Sequence, residues 1–118
     1  MLKEHLEFFT LDMASGWETP PGYPEGFKQK ILAGGLDEVH GKGTRTRILR
    51  IEPGCFTTLP FEHDYWEEVF LFSGDLTVGG KSFPPYTYAC RPPHTLHGPF
   101  KSEKGCMMYE THFYAPED

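Results

Sequence analysis

The sequence predicts an all-β chain closed into one small barrel or jelly roll. Three observations lead there. Thirteen Gly and eleven Pro punctuate the whole length, the apolar segments between them are short and rich in aromatic and β-branched residues, and no segment sustains helical periodicity. Roughly seven or eight short strands must then close on themselves, because an open sheet would leave one face and both edges in water. The 118 residues suffice for a single domain.

The elements follow in chain order. Residues 1–30 stand apart as an arm: Trp17 to Gly26 holds Pro20, Pro21, Pro24, Gly22 and Gly26, a composition that drapes over a surface. The arm is expected to pack on the barrel or on a partner subunit, with residues 31–118 forming the barrel. Phe27 to Ala33 reads as a strand where the two meet. From Arg45 to Glu52 the residues alternate, with Arg45, Arg47, Leu49 and Ile51 on one face and Thr46, Ile48 and Arg50 on the other, before Pro53-Gly54 turns the chain. Val69 to Phe72 is a short apolar strand closed by Ser73-Gly74-Asp75. Leu76 to Val78 meets Lys81 to Phe83 across Gly79-Gly80, a two-residue hairpin signal. Tyr86 to Arg91 is a strand stopped by Pro92-Pro93. Cys106 to Tyr114 is the last one, with Met108, Glu110 and His112 sharing a face.

Charge and composition exclude several classes. A formal charge of -6 and a pI near 5.4, with no basic run, disfavour nucleic-acid binding. No apolar run approaches the roughly 20 residues of a membrane span, and Met1 to Thr10 carries Glu4 and Glu7 where a signal peptide is apolar. A soluble cytoplasmic protein is expected. Cys55, Cys90 and Cys106 form no Cys-x-x-Cys pair and read as small buried residues in a reducing compartment.

The residues able to carry chemistry lie in Pro53 to Asp75, in Arg91 to Pro99 and at Glu110 and His112. His63 stands four residues before Glu67, with a turn between them, and His97 follows the Pro-Pro turn within reach across a closed barrel. Two imidazoles and one carboxylate with open positions suit Fe(II), Mn(II) or Zn(II). A hydrogen-bonded polar cluster without metal is the other reading of the same three residues.

These residues carry a resemblance. His63, Glu67 and Gly74 match the spacing of the first motif of the cupin superfamily, and Pro92 and His97 match its second motif. The run Trp66 to Phe70, the run Arg91 to Pro99 and Gly105-Cys106 look like the ChrR-type subgroup, which is similar to small acetylacetone-dioxygenase-like proteins. The resemblance covers about residues 45 to 114 and implies an RmlC-like, double-stranded β-helix barrel. Departures are specific. Phe61 stands where the first-motif His is expected, Tyr86 and His94 stand at two glycine positions of the second motif, and Lys101 replaces an Asn. A cupin presents three His and one Glu, so this chain retains His63, Glu67 and His97 or keeps a metal-free pocket.

The same reading names further ligand-binding residues. Glu62 turns inward if the longer preceding segment bulges. His94 is a loop residue or pocket wall. Glu110 and His112 either face the cavity and orient a ligand or lie in solvent. Arg47 either holds a substrate carboxylate or enolate in a bidentate pair or points outward. Phe61 and Tyr65 crowd the site and favour a small apolar or aromatic molecule carrying a few oxygens.

Three functions stay open. The resemblance implies a metal-dependent, dioxygenase-like enzyme that uses one divalent ion (iron, zinc, manganese or nickel) on a small β-diketone, phenolic or carboxylate-bearing compound. It equally implies a non-catalytic sensor or ligand-binding module, and Phe61 supports a metal-free version of that module. A homodimer is expected, with Phe8 and Phe9 of the arm padding a neighbour's sheet.

Overall fold

Eight strands and no helix make up residues 3–115, the part of the chain that this computed structural model describes. The extremes of the expected arm and barrel, residues 1–2 and 116–118, lie outside the described residues. In chain order the strands are β1 (Phe27–Asp37), β2 (Lys42–Ile51), β3 (Trp66–Gly74), β4 (Leu76–Val78), β5 (Lys81–Phe83), β6 (Tyr88–Arg91), β7 (Phe100–Lys101) and β8 (Cys106–Phe113). They form two antiparallel sheets, one ordered β1-β2-β8-β3-β6 and the other β5-β4-β7. No helix of the described residues is long and apolar enough to cross a membrane.

The hairpin β4–β5 has the predicted limits, because it is set by local turn chemistry at Gly79-Gly80. Elsewhere pairing stretches or trims the expected strands. β1 runs on to Asp37, across the boundary drawn at residue 30, because β2 pairs with it as far as Lys42. β3 starts at Trp66, three residues before the apolar run, because β8 pairs with Trp66 and Glu67. β6 starts only at Tyr88, since Tyr86 has a positive φ of 75°. β7 is too short to leave a pattern in the sequence.

The inner face of the large sheet is divided along the strands. In β2, β8 and β3 the inward residues at one end are apolar: Ile51 and Leu49, Cys106 and Met108, Leu71 and Val69. With Phe27 and Leu76 they form the buried core. At the other end they are charged or imidazole: Arg47 and Arg45, Glu110 and His112, and Glu67. The registers align the change, because Leu49 and Leu71 face Met108, whereas Arg45 and Glu67 face His112. Period-two alternation thus builds a dry half and a polar half inside one barrel.

Gly74, at the end of β3, has φ near 86°, and a Cβ there would meet the Gly105 carbonyl oxygen at 1.9 Å. Only glycine permits that approach of β3 to the start of β8. The arm crosses the outside of β1 and β2. Glu18 pairs with Gln29 through two backbone bonds, Lys30 Nζ donates to the Ser15 carbonyl, and Lys30 and Arg50 lie over the Trp17 ring.

Candidate metal centre

His63 and His97 are brought together by backbone pairing. Phe61 N–H donates to the His97 carbonyl at 2.7 Å, His97 N–H donates back to Phe61 at 3.0 Å, and His94 N–H donates to the His63 carbonyl at 2.7 Å. The two loops are zipped edge to edge, which leaves the His63 and His97 rings 4.9 Å apart. Glu67 projects inward from β3 below them. One ligand atom of each of His63, Glu67 and His97 lies within 4.8 Å of the others.

The hydrogen bonds decide what each ring offers. His97 Nδ1 lies 3.0 Å from the Thr95 carbonyl, which can only accept, so Nδ1 carries the proton and Nε2 keeps its lone pair. That Nε2 is 3.7 Å from Glu67 Oε1, beyond hydrogen-bonding reach. His63 Nε2 is buried without any hydrogen-bond partner. Burial pushes the His63 imidazole down to about 4, helped by the neighbouring His97, His112 and Arg47 and opposed by Glu67. His63 is therefore neutral near pH 7, with its ring held face to face against Tyr65 at 4.6 Å. The His97 Nε2 lone pair, the unpartnered His63 Nε2 and a carboxylate oxygen converge without satisfying one another. A buried orphan of this kind calls for a partner, and a divalent cation fits the donor set.

A second cluster, Glu67, Glu110 and His112, shares Glu67 and is built differently. Arg45 donates to His112 Nδ1 from Nε at 3.1 Å and from its terminal nitrogen at 2.8 Å. A guanidinium has no acceptor, so the His112 proton sits on Nε2, 2.9 Å from Glu67 Oε2 and 3.3 Å from Glu110 Oε1. His112 is fully buried and acts as a donor. Glu110 accepts from Arg47 at 2.9 Å, and that guanidinium, with His112, holds its carboxyl below the usual range against the opposing effect of burial. Every member of this cluster has a partner, and with both ring nitrogens engaged His112 offers no lone pair to a metal.

No protein-family model matches the chain, and no curated protein matches it significantly. Solved structures do. An RmlC-like cupin from Shewanella frigidimarina superposes with a TM-score of 0.70 at 20% identity, over 100% of this chain and 98% of that one. The chain has the cupin fold. An acetylacetone dioxygenase from Acinetobacter johnsonii shares it with a TM-score of 0.65 at 19% identity, over 97% and 78% of the two chains. So does the anti-sigma factor ChrR in its complex with SigE from Rhodobacter sphaeroides, at 0.61 and 19%, over 84% of this chain and 50% of that one.

Against this fold the expected residues sort cleanly. His63, Glu67 and His97 meet, and Glu110 and His112 face inward beneath them. Tyr65 is buried between the His63 and His112 rings, 4.6 and 4.7 Å away. Phe61, in place of an imidazole, stacks on Tyr23 of the arm at 4.7 Å and closes that side. Glu62 is a correction, since its side chain is exposed, whereas His94, also exposed, is the loop residue of its two expected readings. The segment around Glu62 is held by the Phe61–His97 pairing and does not bulge inward, and the His94 backbone takes a left-handed turn. Arg47 is a correction too. It points inward, but Glu110, Gln29 at 2.7 Å and Tyr23 at 3.3 Å engage its guanidinium, so it holds no substrate anion.

Arg91, Arg45, Tyr23 and Thr95 were missed as site residues. Arg45 shares the inward face already read for Arg47. Arg91 lies opposite Glu67 in the β3–β6 register, a pairing that no local pattern reveals.

Proposed function

We propose that this cupin binds one divalent metal ion through His63, Glu67 and His97 and is an oxygenase acting on a small oxygen-bearing compound. The observation that carries the reading is the pair of imidazole nitrogens, His63 Nε2 and His97 Nε2, that lie beside Glu67 Oε1 with no hydrogen bond of their own. A divalent ion there supplies Lewis acidity to a chelating substrate and, as iron, electrons for dioxygen chemistry. The acetylacetone dioxygenase among the structural neighbours supports a β-diketone, phenolic or carboxylate-bearing substrate.

The chain's own groups prepare this site. Thr95 fixes the His97 tautomer, Tyr65 fixes the plane of the His63 ring, and His112 engages Glu67 Oε2 so that Oε1 faces the two imidazoles. The Phe61–Tyr23 stack walls the site against water on the side where a third imidazole is lost.

A second reading, a metal-free small-ligand-binding cupin, is favoured by one fact. Glu67 already accepts from Arg91 at 2.9 Å and from His112, so its charge is compensated without a cation. Elemental analysis separates the two. The protein as isolated and after Fe(II), Zn(II) or Mn(II) reconstitution is measured beside His63→Ala, Glu67→Ala and His97→Ala. Near-stoichiometric metal, lost in each variant, is expected, and absence of metal under all conditions leaves the ligand-binding reading. A homodimer in a reducing, cytoplasmic setting completes the proposal, and three free thiols suit that compartment.

A further inference from the structure

The geometry points to Arg91 as the anchor for the ligand's anionic head, and to a small carboxylate as the ligand class. This statement rests on the reading of the inner cleft as the functional site. Arg91 ends β6 directly opposite Glu67 and lines an enclosed cavity inside the barrel together with Glu67, His97 and Phe100. Its NH1 donates to Glu67 Oε1 at 2.9 Å, and among the described residues its side chain makes no other hydrogen bond. The side chain is 18% exposed, and the remaining N–H groups of the guanidinium have no protein acceptor among the described residues. A guanidinium with a free edge of this kind favours an oxyanion that can take two parallel N–H bonds.

The other two guanidiniums of the site are committed. Arg47 turns Nε, NH1 and NH2 to Glu110, Gln29 and Tyr23, and Arg45 turns Nε and NH2 to His112 Nδ1 and lies over the Tyr65 ring. The inward cluster therefore sets Glu67 and Glu110 against Arg45, Arg47 and Arg91, which leaves one uncompensated positive charge before any metal ion is added. A neutral ligand leaves that surplus standing, whereas a monocarboxylate cancels it. Size narrows the class further. The cavity has about 20 Å³ of free room, enough for one water-sized group, so at most one carboxylate oxygen enters and the ligand's body stays outside. Much of the remaining wall is apolar, with Leu49, Val69, Leu76 and Met108 beside the polar Tyr23 and Glu110.

The test compares isosteric acid and amide pairs, acetate with acetamide and benzoate with benzamide, on metal-free and on Zn(II)-loaded full-length protein. Affinities come from NMR titration, and the Arg91 Nε–H resonance serves as a direct reporter. The acids should bind the wild-type protein about tenfold tighter than the amides, as expected for a charge-assisted pair, and should shift Arg91 Nε–H. Arg91→Met should bring the ratio near one, and Arg91→Lys, which keeps the charge and loses the fork, should retain part of it. Equal affinity for acid and amide in the wild-type protein, or a preference that survives Arg91→Met, overturns the assignment. Should Arg91→Met fail to fold, the wild-type ratio, the Arg91 Nε–H response and Arg91→Lys decide alone. The two failures are distinct: no zinc uptake by the wild-type protein defeats the metal reading and leaves the metal-free titration a complete test of Arg91, whereas zinc uptake with acids and amides bound alike defeats Arg91 only.

Discussion

His94 and Tyr86 are the two non-glycine residues among those described that adopt positive φ, 63° and 75°. They occupy the two positions at which the cupin second motif carries glycine. A side chain in the left-handed region costs on the order of 1 kcal/mol, and the exposed His94 ring returns little of it. His94→Gly should therefore stabilise the protein by about 0.5 kcal/mol once the looser unfolded chain is counted. A higher urea midpoint at unchanged slope is the expected result, and an unchanged or lower midpoint would contradict it. Here the sequence was informative because the demand is local: one residue and one backbone angle. For the arginines it was not. The sequence left Arg47 open between the cavity and the outer face and did not mark Arg91, and only the partners across the barrel show that the first is engaged by three residues and the second by one.

Turns and hairpins were legible in the sequence because their chemistry is contained in a few neighbouring residues, as at Gly79-Gly80. The alternation in β2 and β8 was legible for the same reason, and it correctly grouped Met108, Glu110 and His112. What it could not show was the level at which the inner face changes from apolar to charged, since that level is a property of three strands in register. The joint between β3 and β4 offers a test at this scale. Asp75 receives the Glu103 and Lys104 N–H groups at 3.0 and 2.8 Å and a bond from the Ser102 hydroxyl, and so ties the β3–β4 corner to the turn before β8. Partial desolvation pushes the Asp75 carboxyl up, but these bonds outweigh it and hold the carboxyl below its usual 3.8. A folded value below the unfolded one means that the contribution is complete above about pH 4 and is lost as pH falls through the folded value. Asp75→Asn should thus be less stable than wild type at neutral pH, and the gap should narrow in acid. Urea melts across that range measure it, and a gap independent of pH would rule the carboxylate out.

At the scale of the molecule, several of the apolar residues left outside the core gather along the arm. Leu6, Phe8 and Phe9 of the arm are exposed, and with Leu32 of β1 and Tyr109 of β8 they line a groove of about 450 Å³ over the large sheet. Clustered exposed aromatics of this kind favour association over solvation, which is the basis for expecting a homodimer. Sedimentation should show a dimer that Phe8→Ser combined with Phe9→Ser shifts to monomer without a change in the far-ultraviolet spectrum. A monomeric wild-type protein at micromolar concentration would remove this expectation. The sheet order carries a different consequence. β8 is made last of the eight strands, yet it lies at the centre of the large sheet, with β2 on one side and β3 on the other. A nascent chain that has emerged only as far as residue 105 holds a β1–β2 pair and a β3–β6 pair with nothing to join them, and it has neither Glu110 nor His112. Assembly must wait until β8 has been made, and the barrel closes in a late, long-range step of the kind that folds slowly and exposes unpaired strand edges to other chains in the meantime.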